Sequence, residues 1–319
     1  MRYFLVAVAI AVAALYAFNA SHLAPEAVGA RVYLAHRGVH QIFDRAGLGR
    51  DTCTANRIAP PAHGFIENTI ASAAEAFRRG AAIVEIDIHP TTDGEFAVFH
   101  DWTLECRTEG KGAVRSHDMA YLRTLDAGYG YTADGGATYP LRGSGVGAIP
   151  SLGDMLAAFP GKRFLINIKS NDPEEGALLA AYVGSLEPAS ASRLSVYGGE
   201  RAVARFAELA PGVRAFTRTT IKKCLLGYMA IGWSSAMPRA CRGATLVVPA
   251  NYARIMWGWP RRFERRMREA DAEVFICANA LKGESMGGVN SISDLRAIGD
   301  DWRGGVWTDR IELVNPAAE

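Results

Sequence analysis

His36, Arg37 and Gly38 end one apolar run, Glu85 and Asp87 lie two apart in another, and His100 and Asp101 close a third. On a strand, residues two apart point to the same face. Glu85 and Asp87 therefore repel unless a cation joins them, and oxygen-seeking Ca²⁺ or Mg²⁺ fits best. Two histidines at strand ends, each followed by a charged residue, fit a general base and general acid. Arg37 supplies a planar donor fork suited to phosphate, and Gly38 lets the backbone turn sharply beneath a ligand. Asn167 and Lys169 also share a strand face. A lysine ending a buried strand is costly unless it meets an anion, and a phosphate would serve. Glu67-Asn68-Thr69 opens a helix. Asn68 reads as its N-cap, and Glu67 as a contact to the metal or to one of its ligands. Trp307-Thr308-Asp309-Arg310, after the last apolar run, reads either as a pocket wall led by Trp307 or as a plain turn.

The elements that must hold these groups alternate. Strands are expected near 32–36, 83–88, 163–168, 194–197, 213–216, 245–248, 273–277 and 305–308. Helices are expected at 69–79, 173–186, 200–209, 260–270 and 293–298. Eight strands alternating with helices predict a parallel sheet closed as a (β/α)8 TIM barrel. A ninth strand, 95–100, follows 83–89 after Thr91-Thr92-Asp93-Gly94. That gap is too short for a parallel crossover, so the pair must be an antiparallel hairpin. Its turn would bring His100 opposite Glu85 or Ile86, back toward the carboxylates. Two long insertions, 39–66 and 102–161, read as lids, binding loops or disordered segments.

His36-Arg37-Gly38, Glu67-Asn68-Thr69, Glu85-Ile86-Asp87, His100-Asp101 and Asn167-Ile168-Lys169, in this order and spacing, resemble the glycerophosphodiester phosphodiesterase family, within the phosphatidylinositol phospholipase C-like phosphodiesterase superfamily. The closing Trp307-Thr308-Asp309-Arg310 is similar to that family's last strand. The resemblance covers residues 31–312. It implies a barrel, a divalent metal and hydrolysis of a glycerol-linked phosphodiester to glycerol 3-phosphate and an alcohol. His36 and His100 match the catalytic histidines, Glu85 and Asp87 the metal ligands, and Arg37 and Lys169 the phosphate contacts. The family usually has a glutamate where this chain has Asn167. The amide oxygen can still ligate Ca²⁺ or Mg²⁺, but one negative charge is lost. Metal affinity should fall, or Glu67 should carry more of the load.

Of 319 residues, 49% are hydrophobic and 21% charged, with a net charge of +2. This is a globular composition without the basic excess that would favour nucleic acid as a partner. Arg2 precedes an uncharged apolar run from Tyr3 to Phe18. Residues 1–22 therefore read as a signal-anchor or a cleaved signal peptide. The body would lie on the exported side, periplasmic or extracellular, membrane-anchored or secreted. Five cysteines in an exported chain predict Cys53–Cys106 and Cys224–Cys241 disulfides, with Cys277 free in a buried strand. Apolar residues 221–237, then Trp257 and Trp259 before an arginine-rich helix, suggest a membrane-surface contact or an ordinary outer barrel helix. On that helix Arg261, Arg262, Arg265 and Arg268 share one side, with Phe263 and Met267 opposite. Three functions follow: hydrolysis of small-molecule or lipid glycerophosphodiesters, a lysophospholipase D or phospholipase D-like activity, or non-catalytic binding by a membrane-tethered protein.

Overall fold

The computed structural model describes residues 1–49, 51–280 and 287–315. Its strands are β1 (Val32–His36), β2 (Ala81–Pro90), β3 (Phe96–Val98), β4 (Arg163–Ile168), β5 (Leu194–Gly198), β6 (Arg214–Phe216), β7 (Thr245–Pro249), β8 (Glu273–Cys277) and β9 (Gly305–Thr308). Eight of them form one parallel path, β6-β5-β4-β2-β1-β9-β8-β7, with β3 paired to β2 outside it. β6 and β7, the two ends of the path, approach each other, so the sheet is a nearly closed (β/α)8 barrel.

Strand alternation explains where the site residues go. Leu34, Ile83, Leu165, Phe216, Val247, Phe275, Cys277 and Trp307 fill the barrel interior. Their intervening neighbours, among them Ala35, Val84, Ile86, Phe164 and Ile166, pack outward against the helices. One pleat further along, the interior face therefore carries His36 above Leu34, Glu85 and Asp87 above Ile83, and Asn167 above Leu165. The register aligns His36 with Glu85, Asp87 with Asn167, and Asn167 with Tyr197. These positions are the carboxyl ends of the strands, where barrel chemistry is built.

β2 and β3 form the expected antiparallel hairpin, with Ile88 opposite Val98 and Pro90 opposite Phe96. The strand is three residues rather than six, and Thr91 N–H donates to the Glu95 carbonyl across the turn. The 102–161 insertion is not loose chain. Leu104, Val114, Met119, Leu122, Tyr131 and Leu141 form a second small core with Ile58, Ile66 and Phe99. Cys53–Cys106 joins the two insertions covalently. Cys224–Cys241 is the second disulfide, and Cys277 is free and buried.

One local expectation fails. Thr69, not Asn68, caps the Ile70–Arg78 helix, accepting from Ser72 N–H at 3.2 Å. Asn68 instead sits in the left-handed region (φ 59°) and turns to Asp87. The apolar segment 221–237 contains most of a regular helix, Arg218–Ile231, capped by Thr217.

Candidate active site

Arg37 organises the acids. Its backbone N–H donates to Glu85 Oε2 at 3.2 Å, its Nη1 to Glu67 Oε1 at 3.0 Å, and its Nε lies 3.2 Å from Asp87 Oδ2. Arg37 adopts φ 56° and Gly38 φ 76°; a Cβ on Gly38 would lie 2.8 Å from the Ser72 backbone carbon. Glycine is thus required for the Ile70–Arg78 helix to approach the end of β1.

Asp87 is the most heavily attended carboxylate. Asn68 Nδ2 donates to it at 3.1 Å and Asn167 Nδ2 at 2.8 Å, while Lys169 Nζ lies 3.5 Å away. Burial works to raise its pKa, but Lys169, Arg37 and His100 hold it well below the usual carboxylate range. Glu85 is equally buried, and among the described residues its hydrogen bonds come from Tyr197 OH at 2.6 Å and the Arg37 amide. Burial, then the neighbouring Asp87, push its pKa up to about 8. In this pair one carboxylate is neutralised by the protein and the other is not.

Each candidate catalytic histidine has a carboxylate on Nδ1: Asp309 for His36 at 2.7 Å, and Asp101 for His100 at 2.6 Å. Burial and Arg37 lower both histidines, His36 to about 4. Trp307 packs on His36, ring centroids 5.2 Å apart. Sequence reasoning did not assign these carboxylate partners. Asp101 was visible as the neighbour of His100, whereas Asp309 lies 273 residues from His36 and needed the β1–β9 pairing to reveal it. Tyr197 and Arg107 were also missed. Arg107 is fully buried and joins Asp101 (2.9 Å), Glu67 (3.1 Å) and Tyr131 (2.5 Å). Nothing in the local sequence distinguishes it from the other arginines of an insertion.

Glu85 and Asp87 fit a hard cation: both are buried, oxygen-bearing, and one lacks a neutralising partner. Asn167 directs its amide nitrogen at Asp87, and a half-turn of that amide presents the oxygen instead. Glu67 does not join them, because its two oxygens are held by Arg37 and Arg107. Burial works against its charge, yet Arg107 and Arg37 lower its pKa to about 2. A second donor group is His36, His40 and Asp309, whose ligand atoms lie within 4.8 Å of one another. Its imidazole-rich set suits zinc-like cations better than Ca²⁺ or Mg²⁺.

The fold and this arrangement define the class: a (β/α)8 barrel with histidine–carboxylate pairs and paired carboxylates at the carboxyl ends of its strands. Residues 47–183 match the model of the Glycerophosphoryl diester phosphodiesterase family. It is 33% identical over 103 residues to a glycerophosphodiester phosphodiesterase of Caldanaerobacter subterraneus, covering 32% of this chain and 39% of the relative. It is 33% identical over 127 residues to one of Bacillus subtilis, covering 37% and 42%. The matched segments thus span about two-fifths of those curated relatives. The crystal structure of a glycerophosphodiester phosphodiesterase from Agrobacterium tumefaciens superposes with a TM-score of 0.57 at 23% identity, covering 90% of this chain and 100% of that one. An Oleispira antarctica phosphodiesterase in complex with the product sn-glycerol-3-phosphate gives 0.57 at 18%, covering 90% and 96%. These two show the fold.

Proposed function

We propose that the protein hydrolyses glycerol-linked phosphodiesters to glycerol 3-phosphate and an alcohol. The observation that carries this is the pair of histidine–carboxylate couples flanking the buried Glu85–Asp87 pair. A binding module needs no such acid–base couples, which disfavours a non-catalytic role. The family match and the Oleispira product complex support the same substrate class.

A divalent cation, Ca²⁺ or Mg²⁺, held by Glu85, Asp87 and the Asn167 side chain would supply Lewis-acid polarisation of the phosphoryl oxygens. Lys169 and Arg37 offset negative charge developing on phosphorus. One of His36 and His100 takes the proton of the attacking hydroxyl, and the other returns a proton to the leaving alcohol. Asp309 and Asp101 hold the two rings so that Nε2 faces the reacting atoms. The glycerol 2-hydroxyl is the proposed nucleophile: its oxygen bonds to phosphorus as the bond to the leaving alcohol breaks, and water then opens the resulting cyclic phosphate to glycerol 3-phosphate.

The N-terminal helix, Arg2–Asn19, is long and apolar enough to cross a membrane. That observation favours a second reading on the same scaffold: a lysophospholipid as substrate, cleaved in the manner of a lysophospholipase D, by a body anchored on the exported side. A panel of glycerophosphocholine, glycerophosphoethanolamine and lysophosphatidylcholine, assayed with Ca²⁺, Mg²⁺ or chelator, separates the readings. Glycerol 3-phosphate from the first two supports the main reading, and choline from the third alone supports the second. No metal-dependent release from any of them overturns both.

A further inference from the structure

The arginines of the Arg261–Glu269 helix are already engaged within the protein. Arg265 pairs with Glu269 and Arg268 with Glu264, while Arg261 binds Asp301. Arg262 and Arg266 reach the end of the N-terminal helix. Arg262 Nε donates to the Ala20 carbonyl at 2.9 Å and its Nη2 to Ala17 at 3.0 Å. Arg266 Nη2 donates to the Phe18 carbonyl at 3.2 Å, and its Nη1 to Asn19 Oδ1 at 3.1 Å. Arg266 is only 4% exposed and lies over the Phe18 ring. Arg261 N–H adds a bond to Ser21 Oγ.

A helix leaves its last carbonyls without partners and carries partial negative charge at that end. Arg2–Asn19 has no basic residue in its own last turn, so the barrel supplies two. The helix itself buries none of its residues against the barrel. Beside the junction the surface is apolar. Asn19 Nδ2 donates to the Trp233 carbonyl, and Trp257 Nε1 donates to the Met229 carbonyl. Leu226 is 65% exposed and Trp233 47%, with Met229, Ile231 and Trp257 also open to solvent. Lys222 and Lys223 are exposed on the same side of their helix as Leu226 and Met229, within about 120°. Exposed tryptophan, aliphatic residues and lysine together form the composition of an interfacial membrane contact.

We propose that Arg262 and Arg266 form a socket for a retained N-terminal helix. Seated there, the helix presses the Leu226–Met229–Trp233–Trp257 surface into the headgroup region of a phospholipid bilayer. In this arrangement a bilayer that accepts the helix lies beside this surface, since Asn19 is bonded to the Trp233 carbonyl. Charge complementarity favours an anionic leaflet. The proposal does not depend on the reaction the barrel catalyses.

The test uses the full chain in nanodiscs of phosphatidylcholine and phosphatidylglycerol. A nitroxide at Leu226→Cys is compared with one at Glu208→Cys, on an exposed part of the Glu200–Leu209 helix. The 226 label should be open to oxygen and shielded from a nickel chelate, and the 208 label the reverse. Equal chelate access at both, or spin–spin broadening from a second copy of the chain, overturns the surface. Phe18→Ala with Asn19→Ala removes contacts from the helix side and leaves the barrel core intact. This variant should stay in the disc but lose shielding at 226; unchanged shielding overturns the socket. Protein extracted from native membranes should retain residues 1–20 by intact mass, and a mature chain lacking them overturns retention.

Discussion

His36 Nδ1 and Asp309 Oδ1 lie 2.7 Å apart, joining the end of β1 to the residue just past β9. Asp309 is itself fixed by the Gly288 amide and Asn290 Nδ2, at 2.8 and 2.9 Å. The carboxylate therefore sets the orientation and tautomer of the imidazole. Asp309→Ala should lower kcat by ~10²-fold or more with little change in KM, because ring orientation matters most in the transition state. Asp309→Asn should recover little, since an amide can hold the wrong tautomer. Steady-state kinetics on glycerophosphocholine test this. A kcat within a few-fold of wild type in Asp309→Ala would remove Asp309 from the mechanism.

The two histidines carry equal weight in the proposed reaction. His36→Ala and His100→Ala should each reduce turnover by ~10²-fold or more. His40→Ala separates acid–base chemistry from the imidazole-rich donor group. If His36 works with Asp309 as an acid–base couple, His40→Ala should leave metal content unchanged. Loss of one equivalent of metal by elemental analysis would show instead that His36, His40 and Asp309 are ligands.

The Glu85 carboxyl links stability to pH. Burial and Asp87 raise it in the folded state from an ordinary value of 4.5 to about 8. Between those values the folded protein keeps a proton that the unfolded chain has released, so stability falls as pH rises and levels off above about 8. A cation on Glu85 requires the charged form. The rise in Tm on adding Ca²⁺ or Mg²⁺ should therefore grow across the same window. At a hundredfold excess over Kd, ligand binding contributes about 2.7 kcal/mol, or roughly 5 °C. Calorimetric scans between pH 5 and 9 measure it, and a metal-induced rise that shrinks toward pH 8 contradicts the assignment.

Most of the barrel was legible because strand runs such as 163–168, 273–277 and 305–308 are bounded sharply by polar or glycine residues. The hairpin was legible from spacing alone. Contacts made across the closed sheet were not: Asp309 reaches His36 only because β9 pairs with β1. Asn68 misled for a local reason. It precedes the helix in the manner of a cap, but Thr69 does that work, and the left-handed backbone at Asn68 turns its amide to Asp87. The arginine-rich helix misled in the opposite sense. Its period correctly predicted that Phe263 and Met267 are buried, but no local pattern shows that Arg262 and Arg266 bind a segment 242 to 248 residues earlier.

Cys53–Cys106 lies next to Arg107, which links Asp101 and Glu67. The bridge closes a loop across a separation of 53 residues. In the loop-closure view its removal costs about 4 kcal/mol, as an upper figure. Cys53→Ser with Cys106→Ser should lower the denaturation midpoint and, through Arg107, loosen Asp101 behind His100. Activity should then fall more than expression. A double variant of unchanged stability and turnover would show that the small core around Leu104 and Tyr131 holds Arg107 unaided.

Asn167→Glu puts a third carboxylate where an amide now donates to Asp87 at 2.8 Å. Without metal, three acids crowd one barrel mouth, and like charges about 3 Å apart cannot all stay ionised. The metal-free variant should melt below wild type and shift proton uptake to higher pH. With Ca²⁺ or Mg²⁺ the sign reverses, because the added oxygen and charge face a cation rather than Asp87 alone. Isothermal calorimetry should show Kd tightened by roughly tenfold, about 1.4 kcal/mol, and the metal should restore the lost Tm. A Kd unchanged or weaker, measured on a variant that still folds, would place the cation away from Glu85, Asp87 and position 167, leaving His36, His40 and Asp309 as the donor group to test.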